Sequence, residues 1–141
     1  MPLESGDEIA ALLTGTRTIA LVGASANPER DSNRVMAFLQ QQGYRVIPVN
    51  PGLAGQELLG EPVMAQLADI EGRIDLVDIF RNSEAAGAVV DEAIAVDAKA
   101  VWMQLGVINP DAAARAEAAG LKVVMNHCPK IEIPRLGLLK P

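Results

Sequence analysis

Thr18-Ile19-Ala20-Leu21-Val22-Gly23-Ala24-Ser25-Ala26-Asn27-Pro28-Glu29-Arg30-Asp31-Ser32-Asn33-Arg34 is the stretch on which the fold turns. Its first five residues form an apolar run without alternation, the pattern of a strand buried on both faces. Gly23 ends that strand. Val35, Phe38 and Leu39 then recur at helical spacing after Ser32, which reads as an N-cap, and Gly43 closes the helix. Arg45–Val49 follows as a second strand, ending in Asn50-Pro51-Gly52. Strand, glycine turn, helix, strand is a βαβ unit.

Working outward, Ser5 and Glu8 make a capping box ahead of Ile9, Leu12 and Leu13, which predicts an N-terminal helix over about residues 5–13. Residues 53–62 read as a loop and Val63–Leu67 as a short helix. Further strands are expected at Asp75–Phe80, Ala100–Gln104 and Leu121–Met125. Helices capped by Ser83 and begun near Pro110 lie between them, and the tail from Pro129 to residue 141 reads as irregular because of its prolines. The expectation is an α/β, three-layer Rossmann-like fold over residues 1–141 as one domain. Its five-stranded parallel sheet is expected in the order 3-2-1-4-5.

Half of the 141 residues are hydrophobic, mostly aliphatic, so a core is readily supplied. The net charge of −6 argues against nucleic acid and against an anionic membrane surface. No apolar run approaches the ~20 residues that span a bilayer, and the first residues lack a signal peptide's basic region. With a single cysteine, Cys128, no intramolecular disulfide forms, which suits the cytoplasm. The Ala-rich helices leave a homodimer or a protein partner open.

In a doubly wound sheet the ligand lies over the carboxyl ends of the strands, where the strand order reverses. With the expected order, that point falls between strands one and four. Gly23 permits a tight turn and Ser25 offers a hydroxyl. The backbone N–H groups of Ser32, Asn33 and Arg34 open a helix, while Arg30 and Arg34 supply cations, so the loop reads as a phosphate cradle. The dinucleotide fingerprint G-x-G-x-x-G fails here, because Gly23 is followed by Ser25 and Pro28 where glycines belong. Asn50 stands where an acid would hold the ribose diol. Both departures turn the loop away from NAD, and a ligand with an extra phosphate near the ribose suits it better.

Ile19–Ser25 with Pro28, Arg30 and Ser32, then Gly43–Pro51, Asp75–Arg81, Val101–Gly106 and Asn126–Pro129, resemble the stand-alone CoA-binding domain proteins. Those are similar in turn to the N-terminal domain of the succinyl-CoA synthetase α-subunit and of the NDP-forming acyl-CoA synthetases. The likeness runs over about residues 14–135, and His127 is inserted in the Asn-Cys-Pro turn of the synthetases. The resemblance implies coenzyme A, or an acyl-CoA, lying across the strand ends. Gly23, Ala24 and Ser25 would meet its phosphates, and Asn50 and Pro51 the 3′-phosphate end. Phe80 and Arg81 would border the pantetheine or adenine, with Gln104, Gly106 and Cys128 toward the thiol. Synthetases of this kind also need a phosphohistidine on a second domain. The only histidine is His127, in a turn, so binding without catalysis is expected. A split synthetase whose partners lie on other chains, or an NAD(P)-binding protein, is the alternative.

The other chemically capable residues read as structural. Cys128 is expected near the ligand rather than reactive, and His127 as a turn residue hydrogen-bonded to backbone. One histidine and one cysteine make no zinc set, so no metal is expected. Asp75 and Asp78 point to opposite faces of their strand and cannot work as a pair. Asp78, amid Val77, Ile79 and Phe80, calls for a buried arginine or N–H partner. Trp102 reads as core; Phe80, at a strand end, is a candidate for stacking.

Overall fold

A computed structural model describes residues 1–140. The chain runs α1 (Gly6–Gly15), β1 (Thr18–Val22), α2 (Asp31–Gln41), β2 (Arg45–Val49), then a hairpin of β3 (Glu57–Leu58) and β4 (Glu61–Pro62). It continues β5 (Leu76–Ile79), α3 (Ser83–Ala95), β6 (Ala100–Met103), α4 (Pro110–Ala118), β7 (Lys122–Met125) and α5 (Pro129–Arg135). Ser5 caps α1, its hydroxyl accepting from the Glu8 amide at 3.2 Å while donating to the Glu8 carboxylate.

The main sheet is five-stranded and parallel, in the order β2-β1-β5-β6-β7. Both faces are covered, which is why its strands are apolar throughout. Ile19, Leu21, Leu76, Trp102 and Val124 pack with residues of α1, α2 and α5. Ala20, Val22, Val77, Ile79, Met103 and Val123 pack under α3 and α4.

Counted along the chain, the five main strands lie 2-1-3-4-5, which corrects the expected 3-2-1-4-5. The reason lies at the outer edge of β2. Pro48 has no N–H to give a further strand, and Pro is confined to sheet edges. That edge is taken by Met64 alone, whose amide donates to Pro48 O and whose carbonyl accepts from the Asn50 amide, both at 2.9 Å. A 3₁₀ turn at Leu67–Asp69 then buries Leu67 in the α3–α4 core. The chain thus reaches the free edge of β1, where the Asp75 carboxylate accepts the amides of Arg17 and Thr18 at 2.9 and 3.0 Å.

Four local expectations are also corrected. Val63 and Met64 are extended rather than helical, because both amides are drawn into pairing with Gln56 O and Pro48 O. Arg30 is the N-cap of α2, with Ser32 inside the first turn; at α3 the Asn82 side chain caps, accepting from the Ala85 amide at 2.8 Å. The tail is helical over Pro129–Arg135 despite Pro134. Pro129 occupies the first helical position, where a missing N–H costs nothing, and buried Ile133 anchors the helix beside α2.

With this order the reversal falls between β1 and β5. The connections leaving them diverge to opposite faces, and a crevice opens above their carboxyl ends.

Candidate functional site

Gly23 sets the crevice floor. Its φ is 91°, and a Cβ there would stand 2.3 Å from the Phe80 carbonyl oxygen, so only glycine lets the ends of β1 and β5 come this close. The loop beyond is wired to β2. The Gly23 and Ala24 amides donate to Val49 O at 3.0 and 3.3 Å. Asn50 clamps the loop from the side: its Nδ2 donates to Ala24 O and its Oδ1 accepts from the Gly52 amide, both at 2.8 Å. Asn33, buried in the first turn of α2, donates from Nδ2 to Ser25 O at 2.8 Å, and Ser25 Oγ accepts from the Asn27 amide at 3.1 Å.

Two clefts open on this frame. The first, of about 840 Å³, is lined by Gly23–Asn27 and Glu29–Ser32, with Asn50, Gly52, Leu53, Phe80 and Arg81 on the facing wall. The second, of about 530 Å³, lies toward β6 and α5 and is lined by Arg34, Val35, Gln104, Leu105, Val107, Cys128, Lys130 and Ile131. Asp31, Phe80 and Arg81 line both, so the clefts meet at the switch point. Each volume lies within the ~300–1,000 Å³ of small-molecule sites. The second cleft gathers Arg34, Arg81 and Lys130 against the single acid Asp31, a local excess of positive charge on an acidic chain.

The residues singled out from the sequence divide accordingly. Gly23, Ala24, Ser25, Arg30, Ser32 and Asn50 face the first cleft, Arg34, Gln104 and Cys128 the second, and Phe80 with Arg81 stand at the junction. Asn33, Pro51 and Gly106 line neither. Asn33 holds the Ser25 carbonyl, Pro51 starts a 3₁₀ turn, and Gly106 donates its amide to Asn126 Oδ1 at 2.8 Å. Lys130, Ile131, Leu105 and Val107 join the site without having been singled out. For Lys130 and Ile131 the signal was hidden, since they enter only because the tail coils into α5.

Two buried polar groups on this face lack partners. Asp78 is fully buried, in register with Leu21 and Trp102, and neither carboxylate oxygen has a hydrogen bond. The expected arginine or N–H partner is absent among the described residues, and burial pushes the Asp78 carboxyl well above its ordinary value. Gln104, two residues beyond Trp102 on the same face, is 6% exposed with Oε1 unpaired. Trp102 is core, its Nε1 donating to His127 O at 2.8 Å. The His127 side chain faces Glu132 rather than backbone, Nδ1 lying 3.9 Å from Oε2.

The CoA binding domain family matches residues 17–134, and the chain belongs to that family. It is 38% identical over 124 residues to the uncharacterized protein YneT of Bacillus subtilis, covering 88% of this chain and 90% of that one. Among solved structures it is similar to Prb, a redesigned PH1109 protein, with 41% identity, TM-score 0.93, and 99% and 97% of the two chains covered. A hypothetical protein from Pyrococcus horikoshii gives 40%, TM-score 0.90, and 96% of each chain. A dinucleotide-forming acetyl-coenzyme A synthetase of Ca. Korarchaeum cryptofilum shares the fold at 23% identity and TM-score 0.65, over 77% of this chain and 26% of that one.

Proposed function

We propose that this chain binds coenzyme A or an acyl-CoA across the two joined clefts and performs no chemistry of its own. The phosphates would lie against the β1–α2 loop, near Ser25, Arg30 and the first amides of α2. The pantetheine arm would pass Phe80 and Arg81 into the second cleft, toward Gln104 and Cys128. The observation carrying this reading is the junction: a polar, glycine-floored cleft continues, past Phe80 and Arg81, into one where Val35, Leu105, Val107, Cys128 and Ile131 form an apolar wall beside Arg34 and Lys130. A polar phosphate-rich head joined to a less polar arm has that same sequence of chemistries. The orphaned Gln104 Oε1 adds an acceptor for an amide N–H of the arm.

An NAD reading has less support, because both ends of the Asn50 side chain are committed to the loop and no acid stands there for a ribose diol. A synthetase reading asks for a phosphorylated histidine, and His127 sits in the β7–α5 turn against Glu132. The chain is read as one domain working in a reducing compartment such as the cytoplasm, where Cys128 stays a thiol. No helix of the described residues is long and apolar enough to cross a membrane.

Thermal shift and calorimetry with CoA, dephospho-CoA, ATP, NAD and NADP at matched concentrations test the reading. CoA at one hundred times its Kd should add ~2.7 kcal/mol of stability. No response to CoA, or a stronger one to NADP, overturns it.

A further inference from the structure

The second cleft carries more information than a seat for a thiol requires. Leu105 and Ile131, on its wall, are 55% and 51% exposed, and Val35 and Val107 beside them are buried. Two large aliphatic side chains exposed on the wall of a pocket offer apolar area that a ligand in that pocket can bury. Gln104 lines the same cleft, and its buried Oε1 has no hydrogen-bond partner. A pantetheine arm supplies amide N–H groups, but its terminal thiol is too small to cover Leu105 and Ile131. The clefts meet at Phe80 and Arg81, so a ligand anchored by phosphates at the first has a continuous path to these residues.

We infer, resting on the CoA reading, that the preferred ligand is an aliphatic acyl-CoA whose acyl chain is longer than acetyl and lies against Leu105 and Ile131. The thioester leaves the phosphate contacts untouched and adds apolar contact only at the far end, so selection works by surface coverage. The chain therefore distinguishes loaded from free carrier, and among loaded carriers favours an uncharged hydrocarbon tail.

Calorimetric titration with CoA, acetyl-, butyryl-, hexanoyl- and succinyl-CoA reads this directly. Affinity is expected to rise roughly fourfold per added methylene, the equivalent of ~0.8 kcal/mol, until the two side chains are covered. Leu105→Ser/Ile131→Ser, both exposed positions, is expected to flatten that rise, whatever its affinity for free CoA. If CoA binds but the series is flat or falls, the acyl inference is overturned and the CoA reading stands. Succinyl-CoA binding more tightly than butyryl-CoA overturns it as well, since Arg34 and Lys130 would then set the preference. If neither CoA nor any thioester binds, both fall together.

Discussion

The two clefts meet at Asp31, Phe80 and Arg81 and are built in opposite ways. At the β1–α2 loop three polar side chains that shape the cleft are already engaged: Asn50 at both ends, Asn33 on Ser25 O, and Ser25 on the Asn27 amide. At the β6–α5 side, Gln104 Oε1 has no partner and Leu105 and Ile131 face water. Asp78, deep on the same face, is unpaired too. The first cleft is thus preorganised and loses little freedom when a ligand arrives. The second is left incomplete, with polar and apolar needs that a ligand would meet. A fixed end can anchor a constant head group, while an incomplete end responds to what varies.

The contrast breaks most severely at Gly23. Gly23→Ala forces a left-handed conformation on alanine and drives its Cβ into the Phe80 carbonyl. The expected loss is about 3 kcal/mol, part from the backbone conformation and part from overpacking against a main-chain atom that cannot turn aside. Urea denaturation measures it. A loss below about 1 kcal/mol would mean that the loop yields and is not preorganised.

Asp78 sharpens the other side. Its folded-state carboxyl titrates well above its unfolded value of ~4, so between the two values the native state holds a proton that the unfolded chain has released. Stability should therefore fall as pH rises from about 4 toward the raised folded value, at up to ~1.4 kcal/mol per pH unit from this group. Asp78→Asn removes the titration. The gap in denaturation free energy between variant and wild type should widen with pH in the variant's favour. Parallel pH profiles would show that the Asp78 carboxyl titrates at its unfolded value despite its burial, and a gap that moves in the wild type's favour would show an ionised partner.

Much of the fold was legible in the sequence. The strands, the α1 capping box and Gly23 follow from short-range signals: apolar runs, Ser5 with Glu8, and a glycine where the chain must turn. The order of strands two and three does not, because it depends on Met64 pairing with the outer edge of β2, a contact between distant residues. Pro48 held a clue, since a proline with no N–H suits an edge strand better than a central one. Helix α5 was hidden by Pro129 and Pro134, and with it the place of Lys130 and Ile131 in the second cleft. Asn50 was legible as a non-acid. Its use as a clamp between Ala24 and Gly52 was not, since that depends on where the loop passes.

The smallest expected effect on stability tests the incomplete end. In the free protein the buried Gln104 Oε1 is a polar atom without a partner, so Gln104→Leu removes an unmet need rather than a bond. Replacing such a group by an apolar one of similar size is expected to leave stability within about 1 kcal/mol of wild type, or slightly higher. The same change takes away the acceptor offered to the arm, and CoA affinity should drop about tenfold, equivalent to ~1.4 kcal/mol and within the range of one hydrogen bond to a buried group. Denaturation and calorimetry on one variant separate the two readouts. A variant that is much less stable would show that Gln104 holds the fold together. Unchanged CoA affinity at full stability would instead remove Gln104 from the ligand's path, leaving the second cleft to its apolar wall alone.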